Sequence, residues 1–375
     1  MRKVCVGWDL KTNDKNYINY LCNMLFEVLV LALQINRLRI RNFKSIKNVM
    51  LDCKRINVFI GEPNTGKSNI LEAIGLLSYP SRFAVEKLRS FVRFETLIDL
   101  FYDRDIGEKI HIQFDGCDFR LSLKEEKFVG ELTFPSDFIN KRARDLSAFY
   151  ENTVFVLDYE GNFKAGSVIG DSADILNSFK YYQFEKRLDF PDRTTNFLLP
   201  PNGKNLLHIL LTQKELKMLI SSLYKKYGYR LVFKPAEGKM EVQKEQDDIV
   251  ISIPYSLSSE TLQRITFYLA AIYSNNESII TFEEPEAHAF PYYMKYLAER
   301  VGLERKNQYF IVTHNPYFLM SLIEKAPENE LAAFGTYFED YQTKVKLLSS
   351  EALEKAFSMG SDFFLNLNRF FEGTE

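Results

Sequence analysis

Residues 61–68 of the chain read Gly61-Glu62-Pro63-Asn64-Thr65-Gly66-Lys67-Ser68 and match the pattern G-x-x-x-x-G-K-[ST]. In such a loop the glycines let backbone N–H groups turn inward around phosphate oxygens. The lysine brings a positive charge to the β- and γ-phosphates, and the serine hydroxyl is a ligand for Mg²⁺. An apolar strand-like run precedes the loop and helical periodicity begins at about Lys67, so the positive end of a helix faces the same anion. The stretch therefore predicts a phosphate-binding loop between a strand and a helix.

Composition narrows the class of protein. The chain has 375 residues, which at roughly 150 residues per domain indicates about two domains. Lys and Arg number 48 and Asp and Glu number 50, a net charge of −2, so any nucleic-acid contact would need a local basic patch. With 46% hydrophobic and 26% charged residues the chain is typical of a globular protein and not of a disordered one. The four cysteines have no metal-ligand spacing and indicate a reducing compartment (Cys5, Cys22, Cys53, Cys117).

One apolar run, Leu21–Ile35, is interrupted by Asn23, Glu27 and Gln34. It is shorter than the roughly 20 residues that a membrane span needs, and no basic region directly precedes it as in a signal peptide. We therefore predict a cytoplasmic protein without a membrane partner, in which residues 1–32 form an N-terminal extension packed on the following domain.

Two adjacent carboxylates follow a second apolar strand. Ser278–Phe282 is predicted to be a buried strand, and Glu283 and Glu284 come directly after it. A carboxylate at the carboxyl end of a strand can reach Mg²⁺, and the next one can orient the attacking water. A surface turn would have the same local pattern, but the loop at residues 61–68 favours the catalytic interpretation.

A histidine follows the next apolar strand, Tyr309–Val312, in the sequence Thr313-His314-Asn315-Pro316. A histidine at a strand end can hydrogen-bond a γ-phosphate, or it can be a structural cap. The two other motifs favour the first interpretation of His314.

The rest of the chain alternates between strand-like and helical patterns. A helix is predicted over Arg82–Tyr102, and residues 159–205, which contain several glycines and prolines, are predicted to be an irregular insertion. The other predicted strands are 34–41, 47–51, 55–60, 109–114, 119–123, 128–134, 229–233 and 249–253, with two more near the C-terminus. The other predicted helices are 69–77, 205–226, 259–273, 289–301, 316–324 and 353–371.

The first predicted strand carries the densest run of basic residues. Arg37, Arg39 and Arg41 alternate along it and share one face, with Lys44 and Lys47 close behind. Such a face is either a solvated surface or a contact for DNA phosphates, and the sequence leaves both interpretations open.

Taken in order, these stretches resemble the ABC-type ATPase heads of the SMC/RecF/OLD group, and specifically its compact AAA-family ATP-binding proteins. The match runs from about residue 33 to 345. It rests on Arg39–Ile46 (RIRNFKSI), the GxNxxGKS form of the P-loop, Leu198–Leu210 (LLPPNGKNLLHIL), Glu283–His288 (EEPEAH) and Val312–Pro316 (VTHNP).

The resemblance implies an α/β P-loop NTPase fold, with a mostly parallel core sheet, an antiparallel β subdomain and a helical insertion. It implies ATP and Mg²⁺ as cofactors, with Ser68 and Glu283 as metal ligands and Asn69 joining residues 61–68 as a nucleotide contact. Three residues would be catalytic: Lys67, Glu284 as the catalytic glutamate, and His314 as the γ-phosphate switch.

In this family a signature turn from a second subunit closes over the γ-phosphate, which implies a homodimer with ATP between its heads. Ser258 and Ser259 occupy that position. The family usually has glycine in this turn, whereas this chain continues with Glu260, whose carboxylate would repel a phosphate unless it points away. Gln113 and Gln183 are both open candidates for the family's Q-loop glutamine.

We therefore expect an ATPase that hydrolyses ATP and drives a separately encoded effector or acts on DNA, in genome maintenance or phage defence. The unusual turn leaves a second function open, a regulatory ATP-binding module with little turnover. A small-molecule kinase is disfavoured because no cluster of lid arginines is evident and the chain carries the His314 loop. No long coiled coil divides the sequence, so an SMC-type tether is not expected. The stretch after His314 is too short for a Toprim domain, so a nuclease is not expected either. The expected domains are an extension (1–32), lobe I (33–158), an insertion with a helical arm (159–226) and lobe II (227–375).

Overall fold

The computed structural model describes residues 34–83, 85–134, 152–167 and 175–360. The predicted N-terminal extension and the second half of the predicted helix 353–371 lie outside these residues. No helix in the described part of the chain is long and apolar enough to cross a membrane. The helices are α1 Lys67–Ser78, α2 Leu206–Thr212, α3 Lys214–Lys225, α4 Glu260–Ser274, α5 Pro291–Leu303, α6 Pro316–Lys325 and α7 Ser350–Met359.

The strands confirm most of the predicted ones. They are β1 Arg37–Phe43, β2 Ile46–Asp52, β3 Ile56–Gly61, β4 Ile110–Phe114, β5 Cys117–Lys124, β6 Lys127–Thr133, β7 Asn152–Leu157, β8 Phe163–Ser167, β9 Phe179–Tyr182, β10 Arg230–Lys234, β11 Lys239–Gln246, β12 Ile249–Pro254, β13 Ile279–Glu283, β14 Gln308–Val312, β15 Leu331–Glu339 and β16 Gln342–Leu347.

A six-stranded sheet lies at the centre, in the order β16-β15-β3-β14-β13-β9. Its neighbouring strands run parallel, except that β16 pairs antiparallel with β15. Glu283 of β13 lies opposite Val312 of β14, and Val312 lies opposite Phe59 of β3. The carboxyl ends of these three strands therefore meet at one edge, where the loops that follow them converge.

The central sheet is covered on both faces, as its continuous apolar strands predict. On β3, Phe59 packs into a core that includes α1 and a second sheet. Ile56, Val58 and Ile60 point to the other face, into a core formed with helices α2 to α6.

The second sheet has seven antiparallel strands in the order β2-β1-β4-β5-β6-β7-β8. On β1, Leu38 and Ile40 are buried while Arg37 and Arg41 are exposed. A third sheet, β10-β11-β12, follows the helical arm of α2 and α3. The predicted fold class, a mostly parallel core sheet with an antiparallel β subdomain and a helical insertion, is confirmed, while the predicted domain limits stay predictions.

The helix predicted over Arg82–Tyr102 is wrong. Short 3-10 turns stand in its place at Leu88–Ser90, Leu97–Leu100 and Tyr102–Arg104. Two groups of apolar residues in the stretch are buried, Leu88, Phe91 and Val92 in the first and Leu97, Leu100 and Phe101 in the second. Nine residues at about 100° each would place these clusters on opposite sides of one helix, so a chain that buries both in the same core must turn between them.

Two strands fall within the stretch that the sequence analysis describes as irregular, β8 and β9. All four residues of β9 are buried, including Lys180. The strand has no alternation of polar and apolar residues and is short, so its pattern did not distinguish it from a loop. It pairs with β13 and extends the central sheet at that side.

Arg55 joins the start of β3 to the end of α5. Its side chain is buried, and its guanidinium donates to the carbonyl oxygens of Val301 and Gly302 (3.2 and 2.9 Å) and to that of Glu304. It also pairs with the Glu330 carboxylate.

We expect Arg55→Met to lower the free energy of unfolding by roughly 3–5 kcal/mol, because it leaves buried carbonyl oxygens and a carboxylate without their donor. Urea denaturation measures this change. Arg41→Met is the matched control on an exposed strand face, where a change within about 0.5 kcal/mol is expected. Equal effects of the two substitutions would contradict the anchoring role of Arg55.

Candidate nucleotide site

The P-loop begins at the end of β3 and runs into α1. Gly66 precedes the helix with φ +89°, a left-handed conformation that favours glycine. A Cβ atom at Gly66 would also lie 1.9 Å from Thr343 Oγ1 and 2.7 Å from Ser45 Oγ. The glycine is thus needed both for the turn and for the close approach of the hairpin β15–β16 and the β1–β2 turn.

Lys67 is buried within the loop that it follows. Its Nζ donates to the carbonyl oxygens of Gly61 (2.9 Å) and Glu62 (2.6 Å). Burial lowers the pKa of Lys67 to about 8, and the carboxylates of Glu284 and Glu62 oppose that shift. The ammonium group therefore sits in the turn, within the field of Glu284.

Asn69 ties the P-loop helix to its surroundings. Its Nδ2 donates to Ser45 Oγ (2.7 Å), which in turn bonds Thr343 Oγ1 at 2.6 Å. Ser68, the residue before it, lies in the first turn of α1. The predicted nucleotide contacts 61–69 thus form one continuous loop and helix start at the edge of the central sheet.

Glu284 and His314 come together across the two neighbouring strand ends. The Glu284 N–H donates to the Val312 carbonyl oxygen (2.9 Å), and His314 Nε2 lies 3.4 Å from Glu284 Oε1. The side chain of His314 is 39% exposed, and its pKa is lowered by partial desolvation and by the charge of Lys67, against the influence of Glu284. Three residues predicted to be catalytic are therefore neighbours.

Glu283 belongs to a charge cluster that the sequence analysis missed. The Glu72 carboxylate on α1 is fully buried and pairs with Lys44 and with Arg93 Nε (2.6 Å). Arg93 Nη2 also reaches Glu283 Oε1 at 3.4 Å. The only sequence signal was a lone glutamate in the apolar helix stretch NILEAIGLL.

The residues present fit a magnesium ion bound with a nucleotide. Glu72 and Ser68 are four residues apart and share one face of α1, and Arg93 bridges Glu72 to Glu283. Ser68 lies in the first turn of α1 and Glu283 at the carboxyl end of β13, so a hydroxyl and a carboxylate belong to the elements that meet at this edge. These are the hard oxygen donors that Mg²⁺ prefers alongside phosphate oxygens.

The structure separates the two glutamines that the sequence left open. Gln113 lies within β4 of the antiparallel sheet, opposite Arg39. Gln183 directly follows β9, whose last residue, Tyr182, pairs with Phe282 of β13. Gln183 is therefore level with Glu283 at the edge of the sheet where the P-loop begins. Its position could be found only once β9 was placed in the sheet.

The signature-like turn precedes α4. Ser258 Oγ donates to the Tyr255 carbonyl oxygen (2.7 Å), and Ser259 is the residue before the helix. The Glu260 carboxylate accepts from Arg264 Nε (2.9 Å), one helical turn along, and this pairing lowers the pKa of Glu260. Within this chain the carboxylate is thus drawn along the helix.

The turn is also joined to the loop that follows β13. Thr261 Oγ1 donates to the His288 carbonyl oxygen at 2.8 Å. Within one chain, the signature-like turn is therefore linked through the segment Glu283–His288 to the residues predicted to contact ATP from the P-loop side.

The family follows from this arrangement and from a match over residues 34–266 to the model of the AAA ATPase domain. The chain belongs to this family. Among curated proteins none matches its sequence.

Solved structures agree in fold. An SMC head bound to the C-terminal winged-helix domain of ScpA has a TM-score of 0.51 and 13% identity, covering 86% of this chain and 100% of that one. An SMC head with an extended coiled coil from Pyrococcus furiosus has a TM-score of 0.46, 14% identity and coverages of 86% and 98%. The SMC head domain from Thermotoga maritima has a TM-score of 0.38, 12% identity and coverages of 84% and 100%. The first of these similarities shows that this chain shares the fold of an SMC head.

The lowered pKa of Lys67 predicts a pH dependence of stability. The pKa is about 8 in the folded chain against an ordinary value of 10.5, so the unfolded chain binds more protons between these values. The folded state should gain up to about 3 kcal/mol over this window, and Lys67→Met should lack that gain.

Urea denaturation without nucleotide, from pH 7.5 to 10.5, compares the two proteins. Lys225→Met removes an exposed lysine and should follow the wild type. If Lys67→Met also followed the wild type across the window, the ammonium would not be desolvated as described.

Proposed function

We propose that this head binds and hydrolyses ATP and dimerises head-to-head around it, to drive a partner protein or act on DNA in genome maintenance or phage defence. The observation that carries the proposal is the convergence of Lys67, Glu284 and His314 at one edge of the sheet, with His314 Nε2 3.4 Å from Glu284 Oε1. A lysine, a carboxylate and an imidazole in this arrangement suit phosphoryl transfer to water.

In the proposed complex, residues 61–69 hold the phosphates of ATP. Lys67 exchanges its bonds to the carbonyl oxygens of Gly61 and Glu62 for phosphate oxygens, and the start of α1 adds its N–H groups. Ser68 and Glu283 hold Mg²⁺, with the Gln183 amide beside them. Bound there, the ion would neutralise charge that develops on the phosphates.

Glu284 is proposed to orient the attacking water, and His314 to bond the γ-phosphate. The Glu284 carboxylate is about half exposed, at 46%, so a water can reach it from the open side of the site. The backbone N–H of Glu284 donates to the Val312 carbonyl oxygen, which fixes the residue at the strand end.

The second head is proposed to present Ser258 and Ser259 to the γ-phosphate. The repulsion expected from Glu260 is reduced because Arg264 pairs with that carboxylate and draws it along α4. The turn then offers neutral hydroxyls and the positive end of a helix to the phosphate. This pairing favours hydrolysis in the dimer over a regulatory module with little turnover.

The partner is proposed to be a separately encoded protein, since the comparable SMC head is bound to a domain of ScpA. DNA is the other candidate, through the outward face of β1. Arg37 on this face pairs with Asp52 (3.2 Å), whereas Arg39 Nε bonds the neutral Asn48 and Arg41 is exposed. Arg39 and Arg41 therefore carry the DNA hypothesis.

We expect Glu284→Gln to retain ATP binding, to slow hydrolysis by about 100-fold or more, and to accumulate an ATP-bound dimer, because the carboxylate that orients water is lost. Lys67→Ala should abolish ATP binding. Phosphate release and light scattering with Mg-ATP measure the two effects.

Glu328→Gln removes one exposed carboxylate away from the site and should match the wild type. Equal hydrolysis by the wild type and Glu284→Gln would remove the role of Glu284. A wild type that dimerises with ATP but releases no phosphate would instead identify the regulatory module.

For DNA, we expect duplex to stimulate the ATPase with a steep dependence on salt. Arg39→Gln with Arg41→Gln should weaken binding and reduce the slope of log K against log salt by about 2. Fluorescence anisotropy of a labelled duplex measures this slope.

The double variant Arg120→Gln with Lys124→Gln is the matched control. It removes two charges from β5 of the same sheet, but both cations are already paired, with Asp118 and Glu131. Equal loss in both double variants would indicate attraction by overall charge, and no stimulation at any salt concentration would exclude DNA as the activator.

A further inference from the structure

Glu286 lies in the loop after β13 and has no role in the ATP binding and hydrolysis proposed for its neighbours. It lies two residues beyond Glu284, and only 6% of its surface is exposed. One carboxyl oxygen, Oε1, accepts from Thr313 Oγ1 (2.5 Å) and from the His314 N–H (3.2 Å). Both donors belong to the loop after β14, so the side chain spans the two loops that carry Glu284 and His314.

The directions of these bonds are fixed by the neighbouring donors. The Thr313 hydroxyl already accepts from the Asn315 N–H (3.0 Å), so its single proton is free to go to Glu286. The His314 N–H has only a donor role. Both bonds therefore need an acceptor oxygen at this point, which a carboxyl or an amide group can supply and a hydrocarbon cannot.

The loop after β14, residues 313–315, is held in place on either side of His314. Thr313 is fully buried, and its N–H donates to the Phe59 carbonyl oxygen (3.2 Å). Asn315 caps α6 by accepting from the N–H groups of Tyr317 and Phe318. Between these anchors the backbone of His314 is fixed by Glu286, and its side chain is consequently set against Glu284.

We propose that Glu286 is a positioning residue, which holds the backbone of His314 so that the imidazole faces Glu284 and the γ-phosphate. This inference rests on the proposed ATPase function for its kinetic consequence. Its structural part, the placement of the His314 ring, is independent of turnover.

The surroundings of the second carboxyl oxygen, Oε2, indicate which two substitutions of Glu286 to compare. Oε2 is buried and has no hydrogen-bond partner among the described residues. Burial raises the pKa of Glu286 to about 7, with a further contribution from the charge of Glu284. Near neutral pH the group is therefore partly a neutral acid, and Glu286→Gln keeps the shape and the acceptor oxygen while Glu286→Ala removes the acceptor.

The test measures ATPase kinetics and the pKa of His314 in parallel. We expect Glu286→Ala to lower kcat about 10- to 100-fold with the Kd for ATP within about 2-fold, and Glu286→Gln to restore kcat to within about 3-fold of the wild type. Glu304→Ala is the matched control, because Glu304 also accepts from a backbone N–H and a hydroxyl, those of Asn307 and Tyr309, but at the opposite end of the sheet. It should leave kcat unchanged.

Proton NMR of the nucleotide-free protein follows the imidazole directly, since the chain has only 4 histidines and a His314→Gln variant assigns the resonance. In the wild type the pKa of His314 lies below its ordinary value. Glu286→Ala should raise it, because a released ring becomes more hydrated, whereas loss of a nearby negative charge alone would lower it.

The outcomes separate the two proposals. An unchanged or lowered His314 pKa in Glu286→Ala, or the same kinetic loss in Glu286→Gln, would overturn the positioning role. A wild type without hydrolysis would contradict the proposed function, while the His314 shift would still decide whether Glu286 sets the ring.

Discussion

The parallel register of β3, β14 and β13 is the constraint on which the site depends. Val312 pairs with Phe59 on one side and with Glu283 on the other, so three loops start level at one edge of the sheet. A slip of one residue in β13 would turn Phe282 out of its core and direct Glu283 to the opposite face. The buried sheet therefore fixes where the three loops start. Hydrogen bonds between neighbouring strand ends, such as that from the Glu284 N–H to the Val312 carbonyl oxygen, complete the placement of the loops.

This edge concentrates carboxylates, and each is accommodated in a different way. Glu72 is buried but balanced by Lys44 and Arg93, which is the condition under which a buried charge is tolerated. Glu284 remains exposed enough to be hydrated and faces His314. Glu286 has hydrogen-bond donors but no cation among the described residues, and burial raises its pKa to about 7. The differences follow from the available partners, because all of these groups have the same chemistry in isolation.

The sequence could predict those parts of the site in which the chemistry itself demands a residue type. Gly66, Lys67 and Ser68 form the pattern that a phosphate- and magnesium-binding loop would require, and Glu283 and His314 became candidates because an apolar strand ends just before each motif. Residues that act through non-local contacts left no such signal. Arg93 reaches Glu283 only because the stretch after α1 folds back across the sheet edge in short turns. The choice between the two candidate glutamines required the strand order, which a sequence pattern does not contain.

In the signature-like turn, the effect of an unusual residue depends on the side chains around it. A carboxylate in this position suggests repulsion of phosphate, which motivated the regulatory alternative. Arg264 changes that expectation, because its guanidinium binds Glu260 and also lies over the ring of Phe184, 4.6 Å from the centroid. The aromatic contact holds the cation in place whether or not a phosphate is near. The carboxylate of Glu260, in a turn where the family usually has glycine, is therefore neutralised by Arg264. In the proposed dimer, Ser258 and Ser259 remain the groups that would face ATP.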